Sequence, residues 1–291
     1  MIRRDFLAGA LALPLIGRVP WAASPRFGCA AITWNGQDES AIDDIASLGF
    51  RGIQLRASAY QRWGSDPAAL RGRLADRGLA FVALSSGTLR LAPETFDDDL
   101  ALHLRHARFV REAGGTFLQV VDERPRDRAP VAADFAAMAR RMDELGRRTA
   151  DLGVTLAYHN HMGNLGQGAG DVEAVLSQCD PQRVRLLLDV AHWQAAGGDP
   201  VAAVKRHANR LAFLHLKDLQ RLQGDAQRRP YRFVELGAGE VDVRGVLAAL
   251  AQAGFGGWAV VELDAVTDPS RTPKGSAQLS KDFLAASGYP F

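Results

Sequence analysis

The stretch VTLAYHN, residues 154–160, is a short apolar run that turns polar at its end and continues into HMGN, residues 161–164. Its side chains alternate. Thr155, Ala157, His159 and His161 share one face, while Val154, Leu156 and Tyr158 share the other, the period of two of an extended strand. Seven other runs have the same form: FGCAAITW (27–34), GIQLR (52–56), AFVALSS (80–86), TFLQVVD (116–122), RVRLLLDV (183–190), LAFLHLKD (211–218) and WAVVELD (258–264). Between them lie segments with helical spacing, such as ESAIDDIASLG (39–49), DDDLALHLRHARFVREAGG (97–115), AADFAAMARRMDELGRRTADLG (132–153) and DVRGVLAALAQAG (242–254). Many stop at a glycine, as at Gly49, Gly114, Gly153 and Gly254, the usual C-terminal cap.

Eight strands alternating with helices predict a parallel sheet, and the count of eight predicts a closed (β/α)8 barrel, a fold of about 250 residues. An open doubly wound sheet is the competitor, but no G-x-G-x-x-G follows the first strand. No linker, low-complexity segment or second domain interrupts the pattern. The chain of 291 residues, 47% hydrophobic, is read as a single barrel over residues 25–291. The glycine-rich LGAGEVD (236–242) reads as a loop hinge rather than a phosphate cradle.

Residues 1–24 stand apart. Arg3 and Arg4 precede a short uncharged stretch, followed by small residues at Ala22, Ala23 and Ser24. This is the order of an export signal, and it is shorter than the roughly 20 apolar residues of a membrane span. RRDFL resembles a twin-arginine signal, a type that exports folded proteins. The expectation is a periplasmic or otherwise exported protein, free of the membrane after cleavage near Ser24. Cys29 is expected in the barrel wall and Cys179 on the outer ring, hence as free thiols. With 35 Lys and Arg against 33 Asp and Glu, the charge balance argues against a nucleic-acid or anionic-membrane partner.

Barrel active sites form at the C-terminal ends of the strands, so the polar residue ending each run is the informative one. Alternation directs His159 and His161 into the barrel from the fifth strand, Asp189 from the sixth, His215 and Lys217 from the seventh, and Glu262 and Asp264 from the eighth. His192 follows closely in DVAHW. Taken singly, a strand-end histidine is usually a hydrogen-bonding residue and an aspartate after LLL a helix cap. Of the seven histidines, however, His103, His106 and His207 lie on predicted helices, and the other four cluster at strand ends. His159, Asp189, His215 and Glu262 together form a candidate site for one divalent metal, with two imidazoles favouring Mn, Co, Zn or Fe over Mg or Ca. Lys217, one of four lysines in the chain, is a candidate to hold a substrate oxygen, or to act as an acid if its pKa is lowered. A structural ion pair with Asp189 or Glu262 is the alternative.

AYHNH, LLLDVAHW with AAGGDP, HLKD, LGAGEVD and WAVVELD, in that order, resemble the xylose isomerase-like barrel superfamily, in particular its sugar epimerase and inosose dehydratase branches. The resemblance implies one metal ligand from each of the last four strands, here His159, Asp189, His215 and Glu262, and a substrate contact from His192. Two departures matter. His159 stands where the epimerase branch carries a glutamate, which moves the chain toward the dehydratases and their His-x-His pair. Gln54 stands where a glutamate is common, which removes one base from the rim; Glu235 and Glu123 are the carboxylates available to replace it. The expected activity is isomerase or epimerase chemistry, removal of the proton beside the carbonyl of a keto-sugar by His161 or Glu262, with Lys217 or His192 as acid. A dehydratase or keto-glycoside lyase is the alternative. A non-catalytic sugar-binding subunit is a further one, and relatives that cut DNA, which carry several zinc ions and a basic face, fit poorly. The expected partner is a small carbohydrate, unphosphorylated if the protein is exported. Barrels of this kind often form homo-oligomers.

Overall fold

The computed structural model describes residues 24–222, 230–289 and 291, and the export signal expected over residues 1–24 lies almost wholly outside them. The strands are β1 (Arg26–Ala30), β2 (Gly52–Arg56), β3 (Ala80–Leu89), β4 (Phe117–Asp122), β5 (Thr155–His159), β6 (Val184–Asp189), β7 (Leu211–Leu216), β8 (Asp218–Arg221), β9 (Tyr231–Val234) and β10 (Trp258–Val261). Eight of them close into an all-parallel barrel in the order β1-β10-β7-β6-β5-β4-β3-β2. The strands β8 and β9 pair antiparallel as a separate hairpin above it. The eight-stranded barrel expected from the sequence is therefore present, with a hairpin that the strand pattern did not reveal. No helix among the described residues is long and apolar enough to cross a membrane.

The core has two parts because each strand has two faces. The outward set packs beneath the helices, with Tyr158, Leu156, Leu214 and Leu216 in one large buried cluster. The inward set is small: Ala30, Val82, Ala83, Ala157, Leu187, Ala212, Phe213, Trp258 and Val260 fill the lumen. Both cysteines are buried and free. The floor is shut by Trp258, whose ring needs the space left by Gly52: a Cβ there would stand 2.7 Å from the indole. Arg26 lies over the same ring at 4.2 Å.

Register places the polar residues one layer above this plug. Leu187 of β6 pairs with Phe213 of β7, so Asp189 pairs with His215. Leu187 also pairs with His159 of β5, and Val260 of β10 with His215, which leaves Glu262 one step further up. Phe213 is fully buried immediately beneath this layer. Replacing it with alanine is expected to cost about 3–5 kcal/mol, read as a lowered midpoint in urea unfolding with an unchanged slope.

Candidate metal centre and substrate cleft

The four expected ligands are brought together. One ligand atom from each of His159, Asp189, His215 and Glu262 lies within 4.8 Å of the others, and all four side chains are buried. His215 Nδ1 stands 3.5 Å from Asp189 Oδ2 and 3.4 Å from Glu262 Oε1. Buried polar atoms are normally paired, yet His159 Nδ1, Asp189 Oδ2, His192 Nε2 and His215 Nδ1 have no hydrogen-bond partner. Three of these belong to the foursome. Convergent, buried and unpartnered donor atoms of mixed nitrogen and oxygen type fit a divalent cation. His159, His161 and His192 form a second close group sharing His159, but it lacks the carboxylates that would balance a dication.

Two of the candidate ligands, His215 and Asp189, are aimed by their other polar atoms. His215 Nε2 sits 2.8 Å from Gln54 Oε1. Gln54 Nε2 in turn donates to Ser85 Oγ at 2.9 Å and to Gln119 Oε1 at 2.8 Å, which fixes its carbonyl toward the histidine. His215 therefore carries its proton on Nε2 and leaves Nδ1 free as the ligand. Gln54, which looked from the sequence like a missing base, is the residue that orients the His215 ring. Asp189 uses Oδ1 to accept the His192 backbone N–H at 2.8 Å, capping the helix Val190–Ala195. Only Oδ2 is left for a metal. Asn160 bonds both the backbone N–H and C=O of Asp189, at 2.8 and 3.1 Å, and so extends the β5–β6 ladder by a side chain.

Charge follows burial and neighbours. Burial favours the neutral forms of Asp189 and Glu262, but surrounding His192, Lys217 and His215 hold Asp189 well below the ordinary carboxylate range, and His215 and Lys217 lower Glu262. Burial, with His215 beside it, lowers His159, and burial also lowers His192, so both imidazoles are neutral. Anionic carboxylates and neutral imidazoles are the protonation states that ligate metals.

Lys217 is buried at this rim, bonded to Glu262 Oε1 at 2.9 Å and to Asp264, and 3.8 Å from Asp189 Oδ2. Burial alone would lower its pKa, but Glu262, Asp189 and Asp264 outweigh it and push it up. The expectation of an acid with lowered pKa is thus replaced by a fixed ammonium, and the ion-pair alternative is the one observed. Its Nζ lies 4.1 Å over the Phe233 ring of the hairpin, and that ring also meets the His192 ring at 4.9 Å. His161 is half-buried and packs against His192, with ring centroids 3.9 Å apart and planes tilted by 40°. Its Nδ1 donates to Met162 O at 2.8 Å, so Nε2 holds the free lone pair. His192 is the reverse: its Nδ1 accepts from Met162 N at 3.2 Å, and Nε2 carries the proton. Glu235 and Glu123 are occupied elsewhere, the first by Arg271 and Ser276, the second by the Leu91 backbone N–H.

A model of the xylose isomerase-like TIM barrel family matches residues 42–286. The chain belongs to that family. The inosose dehydratase of Lacticaseibacillus casei is 26% identical over 294 residues, covering 90% of this chain and 96% of its own length. The rhizopine catabolism protein MocC of Rhizobium meliloti is 30% identical over 294 residues, covering 87% and 86%. Among solved structures, the IolI protein with a bound zinc atom superposes with a TM-score of 0.76 at 16% identity, over 91% of this chain and 99% of that one. The fold of this xylose isomerase-like barrel is thus shared with a metalloprotein.

Above the ligands of the family barrel opens a cavity of about 350 Å³ bounded by His159, His161, Glu262 and Asp264 on one side and by Arg56, Ser85 and Gln119 on the other. Beside it, Asp122 ends β4 fully buried, accepting from the Tyr158 hydroxyl and from Gly166 N with Oδ2 while Oδ1 has no partner. A Cβ at Gly166 would fall on the tyrosine oxygen, so only glycine allows this approach.

Two outcomes follow from these contacts. Gln54→Leu should weaken metal affinity about 10- to 100-fold by freeing the His215 ring, measured by competition with a chromophoric chelator. Burial pushes the Asp122 carboxyl up to about 6 from its ordinary 3.8. Because the folded value is the higher one, the native state keeps a proton that the unfolded chain releases, and its stabilising effect is lost as pH rises through about 6. Asp122→Asn should therefore flatten the fall in urea-unfolding free energy between about pH 4 and pH 7, a difference of about 3 kcal/mol.

Proposed function

We propose that the protein is a metal-dependent lyase that removes water from a polyhydroxylated cyclic ketone of the inosose type. The observation that carries this reading is the set of unpartnered ligand atoms, His159 Nδ1, Asp189 Oδ2 and His215 Nδ1, facing one point with Glu262 beneath an open polar cavity. The dehydratase relatives support elimination as the outcome. Isomerisation or epimerisation, expected first from the sequence, shares the opening proton transfer and differs only in where the proton returns.

His159, Asp189, His215 and Glu262 would hold one divalent ion, with Mn, Co, Zn or Fe better suited than Mg to the two imidazoles. When bound, such an ion supplies Lewis acidity to a carbonyl oxygen and so acidifies the neighbouring C–H. The chain's own residues do the rest. His161, with Nδ1 tied to Met162 O, presents Nε2 as the base that takes the proton from the α-carbon. His192 presents Nε2–H as the donor to the departing hydroxyl. The C–H electron pair becomes the new C=C bond as the C–O bond breaks, and the oxygen leaves as water. Lys217, an ammonium held by Glu262 and Asp264, fixes Glu262 and offsets the carboxylate charge beside the site. The Phe233 ring closes the wall behind His192 and Lys217 and keeps water from them.

The test is the metal-loaded protein with a keto-inositol in heavy water, followed by absorbance of the conjugated enone and by exchange at the α-carbon. Enone formation, slowed about 100- to 10,000-fold in His161→Gln with metal content unchanged, is the expected result. Exchange without loss of water would restore the isomerase reading. Binding without exchange would leave a non-catalytic metal-containing subunit.

A further inference from the structure

A second cavity of about 370 Å³ adjoins the one over the metal ligands. The two share Arg56, Ser85, Gln119 and Val121, so they form one cleft that runs from His159 and Glu262 past the ends of β2, β3 and β4. Its far end is built by Asn35 and Gly36 after β1 and by Ser58 and Gln61 on the helix Ser58–Trp63. Ligand sites span about 300–1,000 Å³. The inner cavity alone is already of that order for a single ring, and the outer one is of equal size.

The outer cavity is walled by polar side chains interleaved with aliphatic surface from Ala57 and Val121. The Asn35 and Gln61 carboxamides and the Arg56 guanidinium are exposed, and none makes a side-chain hydrogen bond among the described residues. No aromatic ring lines it. Groups of this kind exchange water for hydroxyl groups, so a second hydroxylated ring suits the cavity better than an apolar substituent does.

We propose that the departing group is this second ring, so that the enzyme eliminates an alcohol from a keto-glycoside as well as, or in preference to, water from a single ring. The inference rests on the elimination chemistry proposed above and specifies its leaving group. The bonding requirement fixes the substrate. For a glycosidic oxygen to be lost by elimination, the carbonyl must stand two carbons from the anomeric carbon, at C3 of the reacting ring. The proton then leaves C2, the C2–H pair forms the C1=C2 bond, and the C1–O bond breaks. The oxygen departs on the second ring and takes up one proton from solvent at the open end of the cleft, while His161 holds the C2 proton and later releases it to water, so the step needs no oxidant or co-reactant.

The deciding experiment compares the metal-loaded protein on methyl 3-keto-β-glucoside and on 3-keto-cellobiose, which share the reacting ring and differ in what leaves, with release of the enone followed for both. The expected result is a kcat/KM at least tenfold higher for the two-ring compound. Gln61→Ala should lower that value several-fold, and Gln61→Trp, which fills the outer cavity from an exposed helix face, should lower it at least tenfold. Both variants should leave the methyl glycoside within twofold of the unsubstituted protein. Equal turnover of the two compounds, or equal losses in the variants, overturns the assignment of the outer cavity. Turnover of a keto-inositol without either glycoside overturns the glycoside inference alone. Reaction of none of the three overturns the elimination reading as well.

Discussion

Asp189 is the residue on which the upper rim of the barrel depends. Its main chain is bracketed by the Asn160 carboxamide, one carboxylate oxygen caps the helix that carries His192, and the other is left bare toward His215. A single side chain thus ends a strand, begins a helix and leaves one oxygen unpaired. Because the capping bond consumes Oδ1, the carboxylate can present only Oδ2, and it does so from a backbone fixed on both sides. An unpaired buried oxygen of this kind is costly in an empty fold, and it is tolerated where a cation completes it.

The surroundings of that atom form two supports of different character. On the β2–β4 side, neutral amides do the work: Ser85, Gln119 and Gln54 form a chain that ends on His215. On the β7–β10 side the support is ionic, with Lys217 among Glu262, Asp264 and Asp189. The amide chain sets direction without altering charge, whereas the ammonium offsets part of the carboxylate repulsion. His161 and His192, tilted ring against ring, carry opposite tautomers, one with a free lone pair and the other with a free N–H.

Much of this was legible in the sequence because a barrel strand obeys a period of two. Parity alone placed His159, Asp189, His215, Lys217 and Glu262 on the inner face, and the strand-end position did the rest. Parity was silent where a side chain acts across the sheet or from outside it. Gln54 has the right face, but nothing in the local sequence says that its amide reaches from β2 to β7. Asn160 points away from the lumen and matters only through the Asp189 backbone. The pKa of Lys217 depends on three carboxylates brought from two other strands, so its direction could not be read from HLKD. The hairpin of β8 and β9 was hidden because its strands are only four residues each, too short for a periodic signal.

The glycine-rich turn at residues 236–242 illustrates how such a segment acquires a purpose that its composition conceals. The Asp218 carboxylate accepts from the backbone N–H groups of Gly237, Gly239 and Val241, and a Cβ at Gly239 would collide with it. The nest of amides is occupied by the chain's own anion. Among the described residues, that turn therefore offers a phosphate ester no vacant cradle. Its three amides instead tie the start of β8 to the loop that follows β9, so the hairpin is anchored at its base by the chain's own carboxylate.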